Sequence, residues 1–298
     1  MTKNDPWAEL DAKAQQLHHQ GRYAEAEQHY RDCLMIREQQ LGTVHPFLVD
    51  NINNLASVLS ELGNYAEAVA FSERALDIIE QQLGSEHTEY AKGLGTLGVL
   101  LAGSGNYSGA EDALRRCYAI MKKNLAPEHQ DVANSLLNLA GLLYNRGSYV
   151  EAEPLFRTNL LILEQKLGAE HLDVVEPLNN FAGCLCKLGN YADAEPLYQR
   201  SLVIRKKQLG HEHPSVAHAL NNLATYFAHL GNYTEAEKLY HNSLAILEKH
   251  IGSDNPTVAE VLGNLANLCS VSGDYAKAEQ LLRRSLAILS EYFGPEDF

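Results

Sequence analysis

The 298-residue sequence predicts an all-α fold, a solenoid of seven helix–turn–helix repeats. Three columns of identity with a 42-residue period carry that prediction. Gly-x-Tyr triplets begin at Gly21, Gly63, Gly105, Gly147, Gly189, Gly231 and Gly273, with no insertion or deletion between them. Three residues beyond each tyrosine stands alanine, at Ala26, Ala68, Ala110, Ala152, Ala194, Ala236 and Ala278. Ten residues further on, isoleucine fills Ile36, Ile78, Ile120, Ile162, Ile204, Ile246 and Ile288.

Each element of the repeat follows from its punctuation. The first glycine sits just past a helical pattern, where the chain needs a left-handed residue that glycine adopts at little cost. The next residue (Asn64, Asn106, Ser148, Asn190, Asn232, Asp274) is of helix N-cap type, and Ser148 with Glu151 forms a capping-box pattern. A second glycine (Gly42, Gly84, Gly168, Gly210, Gly252, Gly294) ends the second helix, with Leu125-Ala126 the one departure. A short loop then leads to Pro46, Pro214 or Pro256 at a first helical position, where a missing N–H costs nothing. The expected helix pairs lie near 4–41, 46–83, 88–125, 130–167, 172–209, 214–251 and 256–293, as one solenoid over 1–298. The alanine marks a close helix approach, and the isoleucine is a core side chain.

The first helix, opened by Asp5 before Pro6, places Trp7, Leu10, Ala14 and Leu17 on one face and keeps the other polar, as a terminal cap requires. The last helix keeps Leu281, Leu282, Leu286, Ile288 and Leu289 with no polar helix after it. That end is expected to be continued by more chain, or to be covered by a partner or a second copy in a homodimer.

Composition excludes several classes. The chain carries 24 Lys and Arg against 38 Asp and Glu, a net charge of -14. Nucleic-acid and anionic-membrane partners are therefore not expected, since both select clustered cations. The Met1–Pro6 start lacks an apolar stretch after a basic one, so no signal peptide is expected. The longest apolar run, near Ser135 to Tyr144, is half of the roughly 20 residues a membrane span needs. Five cysteines form no disulfide framework, and a reducing, cytoplasmic setting is expected.

The stretches Asn221-Asn222-Leu223-Ala224, Gly231-Asn232-Tyr233-Thr234-Glu235-Ala236-Glu237, Leu239-Tyr240 and Leu209 to Pro214 resemble tetratricopeptide repeats. The 42-residue length is similar to the form found in kinesin light chains, and the common unit of 34 residues is shorter by about one turn per helix. The resemblance covers essentially the whole chain. It implies a right-handed superhelix, with helix A of each repeat lining a concave groove that captures short peptides. No heptad region for a motor heavy chain is present, so the repeat and its groove carry over and the motor role does not.

The groove can be read in register. One helix-A column is Asn54, Thr96, Asn138, Asn180, Asn222 and Asn264, and the position before it adds Asn53, Asn179 and Asn221. Asparagine is a mediocre helix former, so the column calls for a reason. Its amides could pair with the backbone of an extended peptide, or bond neighbouring helices and tighten the stack. Four residues earlier stand Asp50, Lys92, Asn134, Glu176, His218 and Glu260. Repeat proteins that clamp a terminal carboxylate pair Lys or Arg with Asn here, whereas this chain offers Lys92 opposite Thr96, so such a clamp is not expected. Tyr144, Asn145, Lys187 and His229 lie further along helix A. Lys92 and Lys187 provide little cation for the tryptophan-acidic peptides that kinesin light chains take.

Nothing suggests catalysis, a cofactor or a metal. His45, His87, His129, His171 and His213 recur with the repeat, which places them on successive loops rather than around one ion. His213 and His218 are five apart with Pro214 between, unlike the helical His pair of zinc peptidases. Cys33, Cys117, Cys184, Cys186 and Cys269 align with small or medium core residues. The sequence thus points to a non-enzymatic scaffold that binds a peptide of a partner protein. The rival expectation is a structural or regulatory module docking through its convex face or its C-terminal end.

Overall fold

A computed structural model describes residues 6–293, all of whose regular elements are helical. Seven helix pairs follow in chain order: α1 (Pro6–His19) with α2 (Tyr23–Leu41), α3 (Val49–Glu61) with α4 (Tyr65–Leu83), and α5 (Thr88–Gly103) with α6 (Tyr107–Asn124). Then come α7 (Gln130–Asn145) with α8 (Tyr149–Leu167), α9 (Val175–Lys187) with α10 (Tyr191–Leu209), α11 (Pro214–His229) with α12 (Tyr233–Ile251), and α13 (Pro256–Val271) with α14 (Tyr275–Phe293). The odd-numbered helices are the A helices and the even-numbered ones the B helices. A 3-10 turn, Pro46–Leu48 or Leu172–Val174, precedes α3 and α9. The chain packs as two compact units, one up to Ile162 and one from Leu163, the division falling within α8. The Asp5 cap and the Gly294 stop lie outside the described residues.

The turn between the two helices of a repeat is a Schellman motif. The Asn64 N–H reaches back to the Leu59 carbonyl at 2.8 Å, and Gly63 takes φ +76° between them. The same bond recurs from Asn106 to Leu101, Asn190 to Leu185 and Asp274 to Cys269, each at 2.9 Å. The second glycine does something different. Gly84 closes the last turn on Glu80 at 2.9 Å, then leaves with φ 82° and ψ 159°, a region essentially reserved for glycine. In the third repeat, which lacks that glycine, α6 stops one residue early and Leu125 exits with φ -118°.

The expected caps form in part. Asn106 Oδ1 accepts the Gly109 N–H at 3.1 Å, and Asp274 Oδ1 accepts that of Lys277 at 3.1 Å. Asn64 makes no such bond and instead donates to Glu67 at 3.0 Å. At Ser148 the backbone carbonyl accepts the Glu151 N–H at 3.1 Å.

The looping histidines turn out to be helix caps. In His87, Nδ1 accepts the Glu89 N–H at 3.1 Å and starts α5. His45, His129, His171 and His213 do the same for Phe47, Asp131, Asp173 and Ser215 at 3.1 to 3.2 Å. Asn255 holds the place in the seventh repeat, with Oδ1 2.9 Å from the Thr257 nitrogen. The ring is therefore the Nε2–H tautomer, with Nδ1 left as acceptor.

The alanine column is buried throughout, from Ala26 to Ala278. A second column on the B helices ties three of the pairs together. Asn159 donates to the Ala133 carbonyl at 2.7 Å, Ser243 to Ala217 and Ser285 to Ala259 at 2.8 Å, each spanning 26 residues. Successive B helices are joined by ion pairs such as Arg31–Glu67 at 2.7 Å, Arg115–Glu151 at 2.8 Å and Arg284–Glu248 at 2.7 Å. Such half-exposed pairs set register more than they stabilise. Cys33, Cys117, Cys184 and Cys269 are buried and Cys186 is half-buried, all as free thiols.

Candidate functional site

Each A helix sets the two site columns four residues apart, and so on one face. Lys92, Asn134, Asn138 and Lys187 are exposed; Asn54, Asn179, Asn180, Asn222 and Asn264 are half-buried; Asn221 is buried. Their bonding divides them. The side chains of Asn54, Asn138, Asn180 and Asn222 have no partner among the described residues. Asn264 instead donates to Asn221 Oδ1 at 3.1 Å, joining α13 to α11. Asn134 accepts from Gln130 at 3.2 Å on its own helix. Tyr144 packs edge-on against Tyr149 and Phe156, with centroids 5.3 and 6.3 Å away.

The charge of Lys92 is neutralised by its neighbours. Lys92 pairs with Glu89 at 2.9 Å and Asp131 at 3.6 Å. The Glu89 hydrogen bond, then Asp131, hold its ammonium above the ordinary range. In the second unit Arg205 donates to the Ser215 carbonyl at 2.6 Å, and burial pushes its guanidinium pKa down.

Within the first unit, Lys92, Asn134 and Asn138 gather around one cavity of about 350 Å³. Its rim also holds Ser57 and Ser60 of α3 and Thr96 of α5, while Leu100, Cys117 and Met121 lie beneath. The register columns identify the three polar members, and Gly95 also lines the cavity. The available sequence signal is that glycine, at a register where other repeats carry Asp11, Asn53, Leu137, Asn179 and Asn221 and the seventh repeats the glycine as Gly263. Among the described residues no cluster of three or more His, Cys, Asp or Glu is placed to hold a metal ion. No described helix is long and apolar enough to cross a membrane.

Fold and face together define a class, a helical-repeat solenoid whose A helices present polar side chains. The tetratricopeptide repeat profile matches residues 7–68, 47–123, 173–231 and 216–291, and a second tetratricopeptide repeat profile matches 132–173. The chain belongs to the tetratricopeptide repeat family, in its kinesin light chain form. A chain of kinesin light chain, nearly identical TPR-like repeats from Podosopora anserina is 27% identical, with a TM-score of 0.63 over 69% of this chain and 97% of that one. The quorum sensor NprR of B. thuringiensis superposes with a TM-score of 0.74 at 16% identity, covering 96% of this chain and 78% of that one. The Rap conjugation gene regulator of plasmid pLS20, in complex with the Phr* peptide, gives 0.62 at 16% identity, covering 97% and 77%. Among curated proteins none matches the chain.

Proposed function

We propose that the chain is a protein-interaction scaffold that holds an extended peptide of a partner against its A helices. The observation that carries this reading is the set of unpartnered amides at Asn54, Asn138, Asn180 and Asn222. Each offers two donors and one acceptor, the complement of a peptide backbone. An asparagine held mid-helix without an intramolecular bond otherwise only lowers helix stability. The Rap regulator with the Phr* peptide, similar in fold, supports the reading. The test is a peptide array probed with the chain and with Asn138, Asn180 and Asn222 changed together to Ala. Binding is expected to fall sharply. Unchanged binding by a variant that still melts cooperatively sinks the assignment.

A second reading has its own observation. Leu282 and Leu286 of α14 are 54% and 56% exposed, whereas their counterparts Tyr240 and Leu244 of α12 are 2% and 6% exposed. That face suits self-association. Light scattering that finds a concentration-dependent dimer favours this reading over the first.

A further inference from the structure

Gly95 is the residue whose absent side chain opens the cavity of the first unit. A Cβ built on it would sit 3.4 Å from Cys117 Sγ, an ordinary contact, so the backbone there accepts a Cβ. In register the same place carries a side chain in five of the other six repeats, and Gly263 stands there in the seventh. Asp11 stands there in the first repeat and pairs with Arg37 at 3.4 Å. Leu137 stands there in the fourth. In the third repeat the Arg37 position is Met121, so the pair Gly95 and Met121 leaves room where the first repeat has an ion pair.

We infer that this cavity takes one large apolar side chain of the bound peptide, and so selects ligands that the asparagine amides would hold without distinction. This rests on the peptide-binding reading above. The volume, about 350 Å³, is in the range of small-ligand pockets. Met121, Cys117 and Leu100 make an apolar floor. A thioether adapts to varied shapes and favours aromatic edges. The column asparagine is replaced here by Thr96, and exposed Val99 widens the apolar wall. Charge settles what flanks the anchor. Around the mouth stand one cation, Lys92, and two carboxylates, Glu89 and Asp131, already paired with it. With a net charge of -14 on the whole chain, the anchor's neighbours are neutral or basic and not acidic.

The experiment selects binders from a phage-displayed library of random peptides on the wild-type chain, then measures them on Gly95→Leu, Gly95→Ala and the triple asparagine variant. Replacing a mid-helix glycine raises helix propensity, and thermal melts check that each variant folds. The expected result is a shared Leu, Met, Phe or similar residue without acidic neighbours. Affinity is expected to fall about tenfold or more on Gly95→Leu and less on Gly95→Ala. Binders equally tight on a folded Gly95→Leu overturn the pocket, and their loss on the asparagine variant then leaves the peptide-binding reading standing. Binders anchored by an acidic residue overturn the pocket's chemistry. A library that yields no binder above an unrelated helical protein overturns both readings.

Discussion

Asn264 Nδ2 donates to Asn221 Oδ1 at 3.1 Å, so two members of the asparagine stripe spend their amides on each other. Asn221 is buried, and loss of its partner strands a polar group. Asn264→Ala is expected to destabilise by about 1 kcal/mol. Asn180→Ala, which removes no bond, is expected to be neutral or to stabilise by a few tenths of a kcal/mol, since alanine is the better helix former. Hydrogen exchange of the α11 and α13 amides distinguishes the two. Equal protection in both variants refutes the distinction.

The histidine caps make a similar contrast. His87→Ala removes the acceptor for the Glu89 N–H and is expected to cost about 1 kcal/mol. His87→Asn is expected to recover most of it, because Asn255 does this work in the seventh repeat. Urea denaturation of the three proteins provides the comparison. A His87→Asn variant as weak as His87→Ala contradicts the capping role.

Glycine substitutions separate two environments. At Gly84 the backbone holds φ 82° and ψ 159°, and Gly84→Ala is expected to cost about 1–3 kcal/mol. Gly141 lies within α7, and a Cβ there meets nothing within 4 Å. Gly141→Ala is expected to stabilise by roughly 0.5–1 kcal/mol. Thermal midpoints moving in the same direction for both would contradict this account.

Thiol chemistry reports on packing. Burial pushes Cys33 and Cys117 up to about 11. A raised thiol pKa disfavours the reactive thiolate, so at about pH 8 both stay protonated and inert in the folded chain. Half-buried Cys186 is expected to alkylate first, with Cys33 and Cys117 following at the rate of local opening. Mass spectrometry of a labelling time course checks the order, and early modification of Cys117 would show that α6 does not protect it.

The sequence by itself determined the repeat. A glycine past each A helix, an alanine where helices touch and an isoleucine that is buried in five of the seven copies and half-buried at Ile36 and Ile246 are demands that backbone sterics and side-chain volume place on single positions, so they stay visible in one chain. The columns also identified which face carries the asparagines. Only the tertiary structure decided what those residues do, because hydrogen bonding depends on distances that register does not encode. Asn264 and Asn221 bond each other across 43 residues, while Asn138 and Asn180 find no partner among the described residues. The histidines recur in the sequence as loop residues, and their Nδ1 geometry makes them caps. The cavity beneath Gly95 belongs to the structure for the same reason, since a missing side chain leaves a space only where α3, α5 and α7 are held apart around it.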